Sequence, residues 1–217
     1  MNHAIRNLLR LPSLLAGLAL LASSATAVSA ADEIPGIDAQ GYVRHWVMLA
    51  PIPLPEGPPV GDLLMRDQLP GEAKVQPKAG DRVTVGGKER VWRDVTAKTN
   101  YVDFNATLDS LNDRSGGYVV AYVESPEETP NVMVSVGSND EARLYFNTVD
   151  IYAWTEARTL VVDGDKGKVT LRKGINVFVF KVLNELNSWQ ASLRLTDLAG
   201  KPLPKLRVLR TPTSPTP

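Results

Sequence analysis

Trp189–Thr196 alternates without a break: Trp189, Ala191, Leu193 and Leu195 take one side, and Gln190, Ser192, Arg194 and Thr196 the other. That period of two belongs to an extended strand with one buried face. The same signature recurs. Val132, Val134 and Val136 share a face within Asn131–Val136, as do Ala142, Leu144 and Phe146 within Glu141–Phe146. Tyr42–Leu49 and Tyr118–Glu124 read as strands. Ile175–Leu183 (INVFVFKVL) is apolar on both faces and reads as an interior strand. Gly86-Gly87 between Arg82–Val85 and Lys88–Val95 is a two-residue hairpin signal, since both glycines tolerate positive φ. Thr159–Val162 and Lys168–Arg172 are expected to flank a turn at Asp163-Gly164-Asp165-Lys166-Gly167, and Leu206–Leu209 to close a sheet. No segment keeps a helical period over three turns. Short strands with frequent turn signals predict an all-β fold, an antiparallel jelly-roll β-sandwich.

The six prolines of Ala50–Pro70 remove backbone donors and fix φ, which predicts a loop or edge wrap. Asn100–Leu108 fits either a strand or a helix. The start of the chain has a different character. Arg6 and Arg10 precede a twelve-residue apolar run, Leu11–Ala22, and the small residues Val28-Ser29-Ala30 suit a signal peptidase. The expected organisation is a signal peptide at 1–30, one sandwich domain at 31–209 and a proline-rich tail at 210–217. The expected location is the periplasm or exterior of a bacterium, with no membrane span after cleavage.

Composition narrows the chemistry. With no cysteine in 217 residues, disulfides, thiolate metal sites and cysteine nucleophiles are excluded. Taking Arg6 and Arg10 from 24 basic residues leaves 22 against 24 acidic ones, so nothing points to nucleic acid. His45 is the one histidine beyond the signal. Without a G-x-S-x-G, a hydrolase triad has no support. No spacing selects a carboxylate pair for glycoside cleavage from Asp103, Glu124, Glu127, Glu128 and Asp140. The loop at Asp163 starts like an EF-hand. Its fifth, sixth and twelfth positions are Gly167, Lys168 and Gly174, which breaks the pattern. The chain therefore reads as a non-enzyme with no required cofactor.

A resemblance rests on a series of phrases: HWVMLAPIP at Trp46, YVESPEE, VGSNDEARLYFN, VTLRKGINVFVFKV, and the W-x-x-S-L-R-L-T-D-x-x-G-K-P-L that starts at Trp189. Together they resemble the galactose-binding-like jelly-roll modules, related in style to PA14-type domains, that accompany secreted bacterial glycosidases and other polysaccharide-active proteins. The resemblance implies binding through loops at one end of a sandwich, with carbohydrate or another envelope polymer as ligand; an envelope protein is the alternative partner. The family's paired aspartates stand here as Asn139-Asp140, and its next glycine as Glu141.

Four residues are the candidate ligand contacts: Asn139 and Asp140 for hydroxyls, and Tyr152 and Trp154 for ring stacking. Ser138-Asn139-Asp140 could offer oxygens to a calcium ion, with Asp140 the metal candidate, or cap its own loop. Tyr152 and Trp154 could form a sugar platform, since the apolar faces of pyranoses pack on aromatic rings, or pack against the end of the sandwich. Trp189 and Trp46 are expected in the core, and Trp92 on either face of its hairpin. A structural or protein-interaction domain of the envelope, with Ala50–Pro70 as contact surface, is the alternative to a carbohydrate module, and a small glycosidase a third reading.

Overall fold

The computed structural model describes residues 35–213. The export-signal reading of 1–30 lies outside them, as do residues 214–217 of the tail. In chain order the elements are β1 (His45–Pro53), α1 (Val60–Leu64), a 3-10 turn (Glu72–Lys74), β2 (Arg82–Val85), β3 (Lys88–Val91), β4 (Arg93–Thr96), β5 (Val102–Asp103), α2 (Phe104–Leu108), β6 (Ser115–Ser125), β7 (Thr129–Ser138), β8 (Ala142–Phe146), β9 (Val149–Trp154), β10 (Asp165–Leu171), β11 (Gly174–Asn184), β12 (Gln190–Thr196) and β13 (Arg207–Leu209).

The strands form an all-β antiparallel sandwich. A seven-stranded sheet runs β4-β1-β6-β11-β8-β9, with β13 added to β6, and a four-stranded sheet runs β10-β7-β12-β5. From β6 onward the chain crosses between the two layers at each connection except the β8–β9 hairpin. The alternating apolar residues meet between the layers: Val132, Val134 and Val136 of β7, Ala191, Leu193 and Leu195 of β12, and Phe178, Phe180 and Val182 of β11. Trp189 and Trp46 are buried there, Trp189 stacked on Phe104 at 4.4 Å between ring centroids. Period-two burial of this kind is the main apolar contribution to the fold.

β11 is interior, as its two-sided apolarity requires, and pairs with β6 and β8. Its second face explains the proline segment. Val177 and Val179 of β11, Tyr118, Val120 and Tyr122 of β6, and Leu49 of β1 form an outer cluster with Leu69, Val85 and Trp92. Residues 54–92 thus cover the outside of the large sheet. Val60-Gly61-Asp62-Leu63-Leu64 makes one short helix after Pro59, a helix that the run of prolines hides. Val60, Leu63 and Leu64 insert against Leu54 and Leu183. A proline before the first turn is compatible with a helix, because the first amide donors have no intrahelical partner in any case.

Two expectations are corrected. Thr159–Val162 is not a strand, and Asp163–Gly167 is not a hairpin turn, because β10 begins at Asp165 and takes β7 as its partner. The turn is at Val162-Asp163, closed by the Gly164 amide donating to the Val161 carbonyl at 3.1 Å. The Gly86-Gly87 turn is as expected, with φ of 56° and 74°. The β8–β9 turn uses Asn147 and Thr148 in the same left-handed region, at 47° and 75°.

Candidate functional site

β9 and β10 are the free edges of the two sheets on one side of the sandwich. Between them lies a cleft of about 510 Å³. Val134, Val136 and Leu144 form its floor, and Tyr152, Trp154, Asp165, Lys166 and Lys168 line its walls. The floor is the buried margin of the core, while the walls carry polar groups and aromatic rings. Ligand clefts commonly have this division.

Arg158, in the loop between β9 and β10, organises one end of the cleft. Its Nη1 donates to Asp165 Oδ2 at 2.7 Å, and its Nη2 to Ser138 Oγ at 2.8 Å and to Tyr152 Oη at 2.5 Å. The Tyr152 hydroxyl donates to Asp165 Oδ2 at 2.8 Å, so the two free edges are joined by side chains. The guanidinium carbon of Arg158 lies over the Trp154 ring, 4.3 Å from its centroid. Burial first, then the Asp165 carboxylate, raises the Tyr152 phenol above its ordinary range, so it stays a neutral donor. The Trp154 indole N–H is buried and has no acceptor among the described residues.

Asn139 and Asp140 sit in the β7–β8 loop at the same end. Asp140 has φ of 59°, and both of its carboxylate oxygens accept backbone N–H groups, from Arg158 at 3.3 Å and from Glu185 at 2.9 Å. Its amide donates to the Arg158 carbonyl at 2.8 Å. Asp140 therefore ties the β7–β8 loop to the loops before β10 and before β12, and burial pushes its carboxyl up. Asn139 donates its amide to the Gln190 carbonyl at 2.9 Å, while its side-chain oxygen is buried and has no partner among the described residues. Among the described residues no three His, Asp or Glu side chains converge as a metal-ligand cluster.

The structure thus links three of the four sequence candidates through Arg158, which bonds Asp140 and Tyr152 and stacks on Trp154. Asn139 precedes Asp140 in the chain and bonds Gln190 instead. Arg158 and Asp165 were not among the candidates. Neither lies in a patterned segment, and their role comes from a crossing between sheets that spacing does not reveal.

On the other side of Asp140 a second pocket, of about 710 Å³, opens beneath α1. Glu141 and Glu185 line it together with Asp62 and Glu156. α1 crosses the β9–β10 loop so closely that a Cβ on Gly61 would stand 2.2 Å from the Thr155 carbonyl oxygen. The Glu141 carbonyl accepts from Leu183 N–H at 2.9 Å, which fixes this residue at the rim of the large sheet. Glu141 drew notice in the sequence only as a departure from a family glycine.

Among the described residues no helix is long and apolar enough to cross a membrane. No protein-family model matches the chain, and a search of curated proteins finds no match.

Proposed function

We propose that this is an exported, non-catalytic binding module whose ligand is a carbohydrate or another hydroxylated polymer of the bacterial envelope, held along the β9–β10 cleft. One observation carries the reading: Tyr152 and Trp154 line an open cleft whose other wall is Asp165, Lys166 and Lys168. Aromatic rings offer apolar faces to sugar rings, and the charged groups offer donors and acceptors to hydroxyls at their edges. The Arg158 network holds these groups in place before a ligand arrives, which reduces the entropy cost of binding. Asn139 adds an acceptor in the adjoining loop that has no partner among the described residues. The export reading of residues 1–30 and the resemblance to galactose-binding-like modules support the same conclusion.

A glycan array and polysaccharide pull-down on the wild type and on Trp154→Ala test it. Binding lost in the variant is the expected outcome. A blank array from a folded protein rejects it.

One observation favours an interaction domain of the envelope instead. Leu111 and Leu186 are 76% and 62% exposed. Their loops are bonded to one another, with Asn187 N–H donating to Asp113 Oδ1 at 2.8 Å. Under that reading, substituting both leucines with Ser abolishes capture of an envelope protein while Trp154→Ala has no effect.

A further inference from the structure

The pocket beneath α1 is lined by a buried carboxyl, that of Glu141. Glu141 is 1% exposed, lines the pocket, and its Oε2 has no hydrogen-bond partner among the described residues. A buried carboxylate oxygen without a donor is costly, and native structures rarely leave one unless something else satisfies it. Burial, then the carboxylates of Glu185 and Asp140, push the Glu141 carboxyl up to about 7. The surroundings make the unmet need larger. Among the described residues, Asp62, Glu156 and Glu185 share the pocket with Glu141, against Arg66 as the one basic side chain lining it. Between the acids lie the apolar side chains of Val60 and Met65, the latter 50% exposed.

We propose that this pocket binds an organic cation, an ammonium or guanidinium group on an aliphatic stem, with Glu141 as its buried counter-charge. Calcium or magnesium needs several oxygens converging on one point, and no three carboxylates converge in this way among the described residues. The acids here are distributed around an apolar wall. A flexible stem covers such a wall while its charged head reaches a carboxylate. The chemistry is shared by free polyamines and by lysine or arginine side chains of another protein. The site is separate from the β9–β10 cleft and does not depend on what that cleft binds.

The test uses the full chain, calorimetric titration and thermal melting, with spermidine and an acetylated Ala-Lys-Ala peptide as separate probes. Saturable binding of either probe, in roughly the millimolar range or tighter, with a rise in melting temperature, is expected. Glu141→Gln should weaken it roughly tenfold or more, because a charge-assisted hydrogen bond is lost. Trp154→Ala should leave it unchanged, which separates this site from the cleft. Binding of spermidine alone assigns a free polyamine, and binding of the peptide assigns a protein side chain. Should Glu141→Gln fail to fold, Glu185→Gln and Asp62→Asn carry the same expectation of weaker binding. No binding of either probe at about 10 mM, binding indifferent to these variants, or competition by calcium at equal concentration overturns the proposal.

Discussion

Lys181 and Glu72, 109 residues apart, meet beneath the proline-rich cover with Nζ 3.1 Å from Oε2, both almost completely buried. Lys181 also donates to the carbonyls of Leu64 and Arg66, at 2.9 and 2.6 Å. Glu72 accepts from the hydroxyls of Tyr118 and Tyr145. The outer cover is therefore fastened to the large sheet by a buried ion pair whose remaining hydrogen bonds are largely met. Burial lowers the Lys181 pKa, and Glu72 opposes that shift.

Removing Glu72 leaves the Lys181 ammonium buried with the Leu64 and Arg66 carbonyls and without its counter-charge. Glu72→Gln is expected to cost about 3–5 kcal/mol in urea unfolding. Glu72→Gln with Lys181→Met should cost clearly less than the two single changes summed. Strict additivity would show that the pair does not couple.

Gly117 lies in β6 under the stacked rings. A Cβ there would stand 2.8 Å from Trp189, 2.9 Å from Phe104 and 3.0 Å from Ala50. Gly117→Ala must displace that stack, at an expected cost of about 1–3 kcal/mol. A melting temperature equal to the wild type's would contradict the tight packing of this layer.

Arg158→Met removes the guanidinium bonds to Ser138, Tyr152 and Asp165, and leaves the direct Tyr152–Asp165 bond to hold β9 to β10. Amide exchange should accelerate across residues 149–171 while the β6–β11 pairing keeps its protection. A uniform change across all strands would mean that Arg158 acts on global stability rather than on the cleft.

Glu141 gives stability a pH dependence of definite sign. Its carboxyl is raised from 4.5 to about 7 on folding. Between those values the folded state holds more proton than the unfolded chain, so this residue's contribution declines as pH rises from about 4.5 to 7. The contribution is present in full below 4.5, and the loss is complete above 7. It amounts to the order of a few kcal/mol. Glu141→Gln should flatten this part of a stability–pH profile measured by urea unfolding. An unchanged slope would place the raised carboxyl elsewhere.

Thr148 holds φ of 75° in the β8–β9 turn, a region that β-branched residues avoid. Thr148→Gly should stabilise the protein by roughly 1 kcal/mol. A loss of stability would mean that its side chain contributes more than its backbone strain removes.

The inner core was legible in the sequence because period two survives wherever one face is buried and the other wet, as in Trp189–Thr196. The Gly86-Gly87 turn was legible because few dipeptides tolerate two left-handed residues. β9 was not recognised as a strand, since on a free edge Ile151 and Trp154 answer to a cleft rather than to a core. Thr159–Val162 has strand-forming residues but no neighbour to pair with, and pairing depends on topology. Asn139 and Asp140 lie in the loop that the break in alternation after Val136 indicates. The bonding of Asp140 to two other loops depends on contacts across 18 and 45 residues, which no local pattern encodes. Lys181 did leave a trace: a lone charge inside INVFVFKVL calls for a buried partner. Nothing around Glu72 says that it is that partner.

β6 receives β1 along residues 115–120 and β13 along 122–124 on the same side, while β11 occupies its whole other side. The first and last strands of the described chain are thus laid end to end along a single ribbon. A polypeptide emerging from its N-terminus cannot finish this sheet until residue 209 is out. Until then part of one backbone rim stays open to water, to other chains and to whatever escorts the newborn protein. Such long-range closure predicts slow acquisition of the native state, on a scale of milliseconds to seconds, and a long interval in which a carrier could hold the chain unfolded.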